Sequence, residues 1–120
     1  MLKVLRGALC VALLGVVSGM FHAGAQDSTR TIEIHAKRFS FSPVEITLKK
    51  GEAVTLVLTS DDVPHSLVID GLGVKGDMIK GQMTKVNVTP SQDGDFHGKC
   101  GRFCGIGHGS MKFTVHVTDN

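Results

Sequence analysis

Five short runs in this chain place an apolar residue at every second position, and that period decides what the chain can fold into. They are Ile32, Ile34 and Ala36; Val44, Ile46 and Leu48; Val54, Leu56 and Leu58; Val86 and Val88; and Phe113, Val115 and Val117. Successive side chains of a strand point to opposite faces, so each run buries one face and exposes the other. The runs end in turn chemistry: Ser42-Pro43, Lys49-Lys50-Gly51-Glu52, Ser60-Asp61-Asp62 and Pro90-Ser91-Gln92-Asp93-Gly94. No segment sustains a helical period. The expected fold is therefore all-β, a small antiparallel Greek-key β-sandwich. Two stretches break the pattern. Gly71–Gly81 carries four glycines among Leu72, Val74, Met78 and Ile79, and reads as a partly buried loop between strands. The other runs from Lys99 to Lys112.

Residues 1–25 stand apart from the rest. Lys3 and Arg6 precede an apolar run from Ala8 to Val17, and Ala23-Gly24-Ala25 offers small residues for cleavage after Ala25. This is the pattern of a secretory signal peptide, and the apolar run is too short to span a bilayer comfortably; retention as an uncleaved anchor is the alternative. Residues 26–30 then form a flexible polar lead. Residues 31–120 form one small domain, expected to be periplasmic with no membrane insertion after cleavage. Of 13 Lys plus Arg, Lys3 and Arg6 belong to the leader, and the remainder balances 11 Asp plus Glu. No nucleic-acid or acidic-substrate partner is implied.

Between Lys99 and Lys112 lie two thiols (Cys100, Cys104), one imidazole (His108) and one thioether (Met111), separated mostly by Gly and Ser. Thiolate and thioether sulfur suit copper, zinc or iron–sulfur clusters, and imidazole suits copper and zinc. A thioether is a poor zinc ligand, and structural zinc sites close with Cys and His alone, so Met111 favours copper. A rigid redox site also needs an anchor from elsewhere in the fold. His65 is the candidate: Pro64 fixes its own φ and pushes Val63 to an extended shape, which sets the imidazole at the start of the strand Ser66–Ile69.

The remaining donors read differently. His35 and His116 occupy the polar sides of their strands, His22 leaves with the leader, and alternation turns His97 to the face opposite Phe96 and Cys100. Met78 and Met83 read as gap-fillers or loop residues. In an oxidising compartment Cys100 and Cys104 can instead close a tight disulfide. Such a bridge stabilises little over so short a loop and leaves His108 and Met111 without a role.

The spacing Cys100-x3-Cys104-x3-His108-x2-Met111, with His65 in Asp62-Val63-Pro64-His65-Ser66, resembles the binuclear copper A (CuA) domain of cytochrome c oxidase subunit II. More loosely it is similar to that of nitrous-oxide reductase. The likeness extends to Gly71-Leu72-Gly73-Val74-Lys75-Gly76-Asp77 and to Phe39-Ser40-Phe41-Ser42-Pro43, and covers nearly all of residues 31–118. It implies a cupredoxin-like sandwich in which the thiolates of Cys100 and Cys104 bridge two copper ions. His65 and His108 would be terminal ligands, Met111 a weak axial ligand and the backbone carbonyl of Arg102 the second weak one. Two bridging thiolates let the ions share one electron with little ligand movement, whereas a blue single-copper site needs only one Cys. Phe103 and Ile106 would keep water from the sulfurs.

Three features depart from the family. Two membrane helices precede the oxidase domain, where this chain has only the leader, which implies a free-standing soluble domain. An acidic residue, whose carboxylate reaches a second metal near the partner subunit, often stands where Arg102 does. The chain has no Trp and no Tyr, and so lacks the aromatic patch through which the oxidase subunit accepts electrons from cytochrome c.

Three functions compete on these residues. The first is an electron carrier between a donor and an acceptor protein, with a c-type cytochrome or a terminal oxidase or reductase as candidates. Such a carrier performs no substrate chemistry and is an enzyme only as a component of an oxidase-like system. The second is a periplasmic chaperone delivering Cu(I) to an oxidase or other copper enzyme with the same sulfur donors. The third is a metal-free binding module closed by a Cys100–Cys104 disulfide. The carrier gives every soft donor a role and is the expectation carried forward.

Overall fold

The alternating runs become strands. A computed structural model describes residues 29–119; the expected leader, and all of the lead before Thr29, lie outside the described residues. The strands are β1 (Arg30–Lys37), β2 (Ser40–Ser42), β3 (Glu45–Lys49), β4 (Val54–Ser60), β5 (His65–Ile69), β6 (Val74–Met78), β7 (Thr84–Val88), β8 (Gly94–Cys100) and β9 (Lys112–Thr118). Among the described residues the only helical turns are two short 3-10 segments, Asp70–Leu72 and Ile106–Ser110. None of these is long and apolar enough to cross a membrane.

Two sheets form, one in the order β2-β1-β4-β7 and the other β3-β9-β8-β5-β6. They are mixed, which corrects the wholly antiparallel expectation: β1 runs parallel to β4, and β3 parallel to β9. The cause is the route of the chain. After β2 it crosses to lay β3 in the second sheet, then returns as β4 beside β1 in the same direction. A crossover through the opposite sheet does what a helix does in other parallel units.

The glycine-rich stretch is the second correction. The middle five residues of Gly71–Gly81, Val74–Met78, are not loop but the edge strand β6, paired antiparallel to β5 from Ile69↔Val74 to His65↔Met78. Glycine weakens a strand unless another group approaches closely. At Gly76 an added Cβ would lie 2.7 Å from a Leu58 methyl and 3.0 Å from one of Val86, so its absence lets this edge close onto the first sheet. Met78 is buried in the core and Met83 exposed, while Val44, expected inward, lies ahead of β3 and is exposed.

The core sits between the inward faces. Phe41 from β2 meets Phe113 from β9 edge to face, ring centroids 5.9 Å apart at 74°, a geometry that contributes roughly 0.5–1.5 kcal/mol beyond area burial. Along the second sheet the inward positions run Ile69, Leu67, His65 in β5, then Gly98, Cys100 in β8, and Val115, Phe113 back to Met111 before β9; all are buried. The apolar face therefore ends, at one pole, in an imidazole and sulfurs.

Candidate metal centre

Strand parity delivers the donors. His65 opens β5 and pairs with Met78 of β6, while Leu67 pairs with Cys100 at the end of β8. An inward phase at Leu67 thus turns both His65 and Cys100 toward the same interior. The chain then leaves the sheet, places Cys104 and His108 in the loop, and re-enters β9 through Met111. His65 is fully buried, and Cys100, Cys104 and Met111 nearly so.

The ligand atoms of His65, Cys100 and Cys104 all lie within 4.8 Å of one another. His65 Nδ1 is 3.9 Å from Cys100 Sγ, and the two sulfurs are 3.6 Å apart. Both thiols are free; a disulfide would hold the sulfurs at about 2.05 Å. His108 Nδ1 stands 3.7 Å from Cys104 Sγ, and the Cys104 thiol points at Met111 Sδ at 3.5 Å. The Cys100 thiol donates to the Arg102 carbonyl at 3.0 Å. All six residues singled out from the sequence thus converge, with one imidazole beside each sulfur. His97 lies exposed, and His35 and His116 pair with acidic groups elsewhere.

Comparison with known proteins gives this geometry a family. The sequence pattern of the cytochrome c oxidase subunit II periplasmic domain matches residues 28–118. The chain belongs to that family. A probable cytochrome c oxidase subunit 2 of Streptomyces avermitilis is 44% identical over 70 residues, which are 58% of this chain and 22% of that protein. The Thermus thermophilus subunit 2 is 27% identical over 89 residues, 74% of this chain and 66% of its own length. The chain therefore spans about a fifth of the Streptomyces relative. In three dimensions it resembles the periplasmic domain of the oxidase subunit II CoxB of Bradyrhizobium japonicum, with a TM-score of 0.70 at 20% identity over 76% of this chain and 85% of that one. This is the cupredoxin-like sandwich expected from the sequence.

Family membership implies copper, and the residues present fit it. The donor set is soft sulfur with imidazole, the thiols are not consumed by a disulfide, and His65 turns a ring nitrogen toward the sulfurs. Its Nε2–H donates to Asp62 Oδ1 at 2.8 Å, which leaves the Nδ1 lone pair facing the sulfurs. Asp62 also accepts the backbone N–H groups of Arg38 at 2.8 Å and Val63 at 2.6 Å. Burial pushes the Asp62 carboxyl up, but these N–H groups and the His65 ring outweigh it and bring it down to about 2. At the other sulfur, burial, the neighbouring Cys100 thiol and the Asp62 charge push the Cys104 thiol up to about 11.

The sequence did not single out the groups that brace this oxidase-family centre. Arg38 donates its Nε–H to the Cys104 carbonyl at 3.1 Å, so the turn after β1 holds both the His65 side, through Asp62, and the cysteine loop. Phe39 lies flat against the loop: a Cβ on Gly107 would come 2.4 Å from its ring, and one on Gly105 2.9 Å. Gly105 also takes φ +135°, which other residues avoid. Ser66 accepts the Gly101 N–H at 3.0 Å and fixes the loop start. Only Asp62, three residues before His65, carried a usable signal, the carboxylate–imidazole spacing.

Proposed function

We propose that this domain is a periplasmic one-electron carrier whose centre holds two copper ions. His65, Cys100, Cys104, His108 and Met111 would be side-chain ligands and Arg102 would contribute its carbonyl. The observation that carries the reading is the approach of His65 to Cys100, 3.9 Å across 35 residues of sequence, beside a second free thiol. A single-copper site of the blue type has no use for that second thiol. When bound, the copper pair supplies a couple that gains and loses one electron.

The protein's own contribution is positional. Two core strands and a braced loop set the donors before metal arrives, so they need to move little when the charge changes. Asp62 keeps the His65 ring in one tautomer and orientation. Burial of His65, Cys100, Cys104 and Met111 excludes water and lowers the local dielectric, a lever on the potential. The expected leader, cleaved after Ala25, would deliver the domain to the periplasm, with a donor and an acceptor redox protein as partners. Cu(I) delivery is the less favoured reading, because the relatives are oxidase subunits.

Electron paramagnetic resonance of the copper-loaded chain tests the proposal. The expected spectrum is mixed-valence, one unpaired electron split equally by two copper nuclei, and Cys100→Ser or Cys104→Ser abolishes it. A four-line pattern from one copper overturns the two-ion reading.

A further inference from the structure

The chain's charges nearly cancel overall, yet they are lopsided where the metal centre reaches the surface. Phe103 is 78% and Ile106 fully exposed, the two most exposed large apolar side chains among the described residues, so they turn outward instead of covering the sulfurs as expected from the sequence. They flank Cys104 in sequence, and the Phe103 ring stands 5.9 Å from that of His108. Beside them a surface groove of about 300 Å³ is lined by Arg38, Val63, Pro64, Arg102, Phe103 and Cys104. Residues 100–111 contain Arg102 and no acidic residue.

The two arginines are the only charged side chains that line this groove; the nearby carboxylates lie outside the lining and make hydrogen bonds of their own. Asp61 pairs with His35 at 2.9 Å, and Asp62 is occupied by Arg38 N–H, Val63 N–H and His65. Arg102 has no ion-pair partner among the described residues, and Arg38 commits only its Nε–H to Cys104. The mouth is thus an apolar centre flanked by two guanidinium groups with hydrogen-bonding capacity to spare.

The geometry points to this face as the docking surface for a redox protein whose own docking face is acidic. An apolar patch with a polar surround is the anatomy of a transient interface, and Phe and Arg are enriched at such contacts. Planar guanidinium groups match carboxylates bidentately, and a positive mouth speeds encounter with an anionic partner while repelling a cationic one. The site also matters for function: Cys104 borders the groove, so a partner seated there approaches the centre across one side-chain layer. This inference rests on the carrier reading and adds to it the chemistry of the partner.

The test is a nuclear magnetic resonance titration of the isotope-labelled chain, copper-loaded and metal-free, with two small c-type cytochromes of opposite surface charge. The acidic cytochrome is expected to shift the amides of Arg38, Phe103, Gly105 and Ile106, with affinity falling steeply as salt rises. Arg38→Gln and Arg102→Gln should each weaken it roughly three- to tenfold at low salt and flatten the salt dependence. Ile106→Ser should weaken it at every salt concentration. Tighter binding of the basic cytochrome, shifts on another face, no binding of the acidic one at low salt, or arginine variants without effect would overturn the inference. A two-copper spectrum without acidic docking removes this inference alone, whereas acidic docking without that spectrum removes the two-ion reading alone.

Discussion

At the scale of single residues, Asp62 is the group on which the geometry of the centre most depends without being a ligand. One carboxylate satisfies the Nε2–H of a fully buried histidine and two backbone N–H groups. Replacing it by Ala leaves a buried ring N–H without an acceptor, a loss of about 1–3 kcal/mol. The ring also becomes free to present either nitrogen, and removing such a supporting partner typically lowers metal affinity about 10–100-fold. Chemical denaturation of the metal-free chain reads the first effect and copper titration the second; nitrogen shifts of His65 should show the Nε2–H tautomer in the parent and a mixture in Asp62→Ala. An unchanged tautomer would show that packing alone orients the ring. The converging donors were legible because soft donors at short spacing are rare in a chain. Arg38 was not: its bond to the Cys104 carbonyl joins residues 66 apart, and no local pattern records a contact between a turn in one sheet and a loop of the other.

At the scale of elements, strands were legible wherever one face is wet, because alternation exists only there. β6 was missed because its inward glycine looks like loop composition, and only the nearness of Leu58 and Val86 explains it. The same kind of close approach predicts a mutational effect at the metal loop. Gly107→Ala pushes a methyl into the root of the Phe39 ring, which cannot swing away cheaply, and should destabilise by about 1–3 kcal/mol. Phe39→Ala in the same chain should recover part of that loss, and a thermal double-mutant cycle measures the coupling. A second element-level feature lies at the far side of the second sheet. His116 of β9 bonds Asp95 of β8 through Nδ1 at 2.7 Å and Glu45 beside β9 on β3 through Nε2 at 3.0 Å. Those carboxylates raise the imidazole above its ordinary 6.5. The stabilisation is therefore complete below pH 6.5 and fades as pH rises through the higher folded value. The parent should exceed His116→Asn in melting temperature by more at pH 5.5 than at pH 9.

At the scale of the whole molecule, parallel pairing was illegible for a topological reason: a strand's residue pattern says which face is buried but not which neighbour it lies beside or in which direction. The crossings that make β1 parallel to β4 and β3 parallel to β9 also bring β5, β8 and the approach to β9 to one pole. Donors drawn from such separated elements would couple copper uptake to the folding of the entire domain. Copper bound at a free concentration 100 times its dissociation constant adds about 2.7 kcal/mol, which for a domain of this size raises the melting temperature by roughly 10–20 °C. A chelator should return the melt to the metal-free value. The uptake is also proton-linked. With its thiol pushed to about 11, Cys104 is protonated at neutral pH in the metal-free chain and must lose that proton to bind as thiolate. Affinity should therefore fall roughly tenfold for each proton displaced and each pH unit of acidification, so the copper-induced rise in melting temperature shrinks toward acid. Calorimetric titrations in buffers of different ionisation enthalpy count the protons released. Uptake that releases none at pH 7 would mean that the cysteines bind no metal, however close they stand to His65.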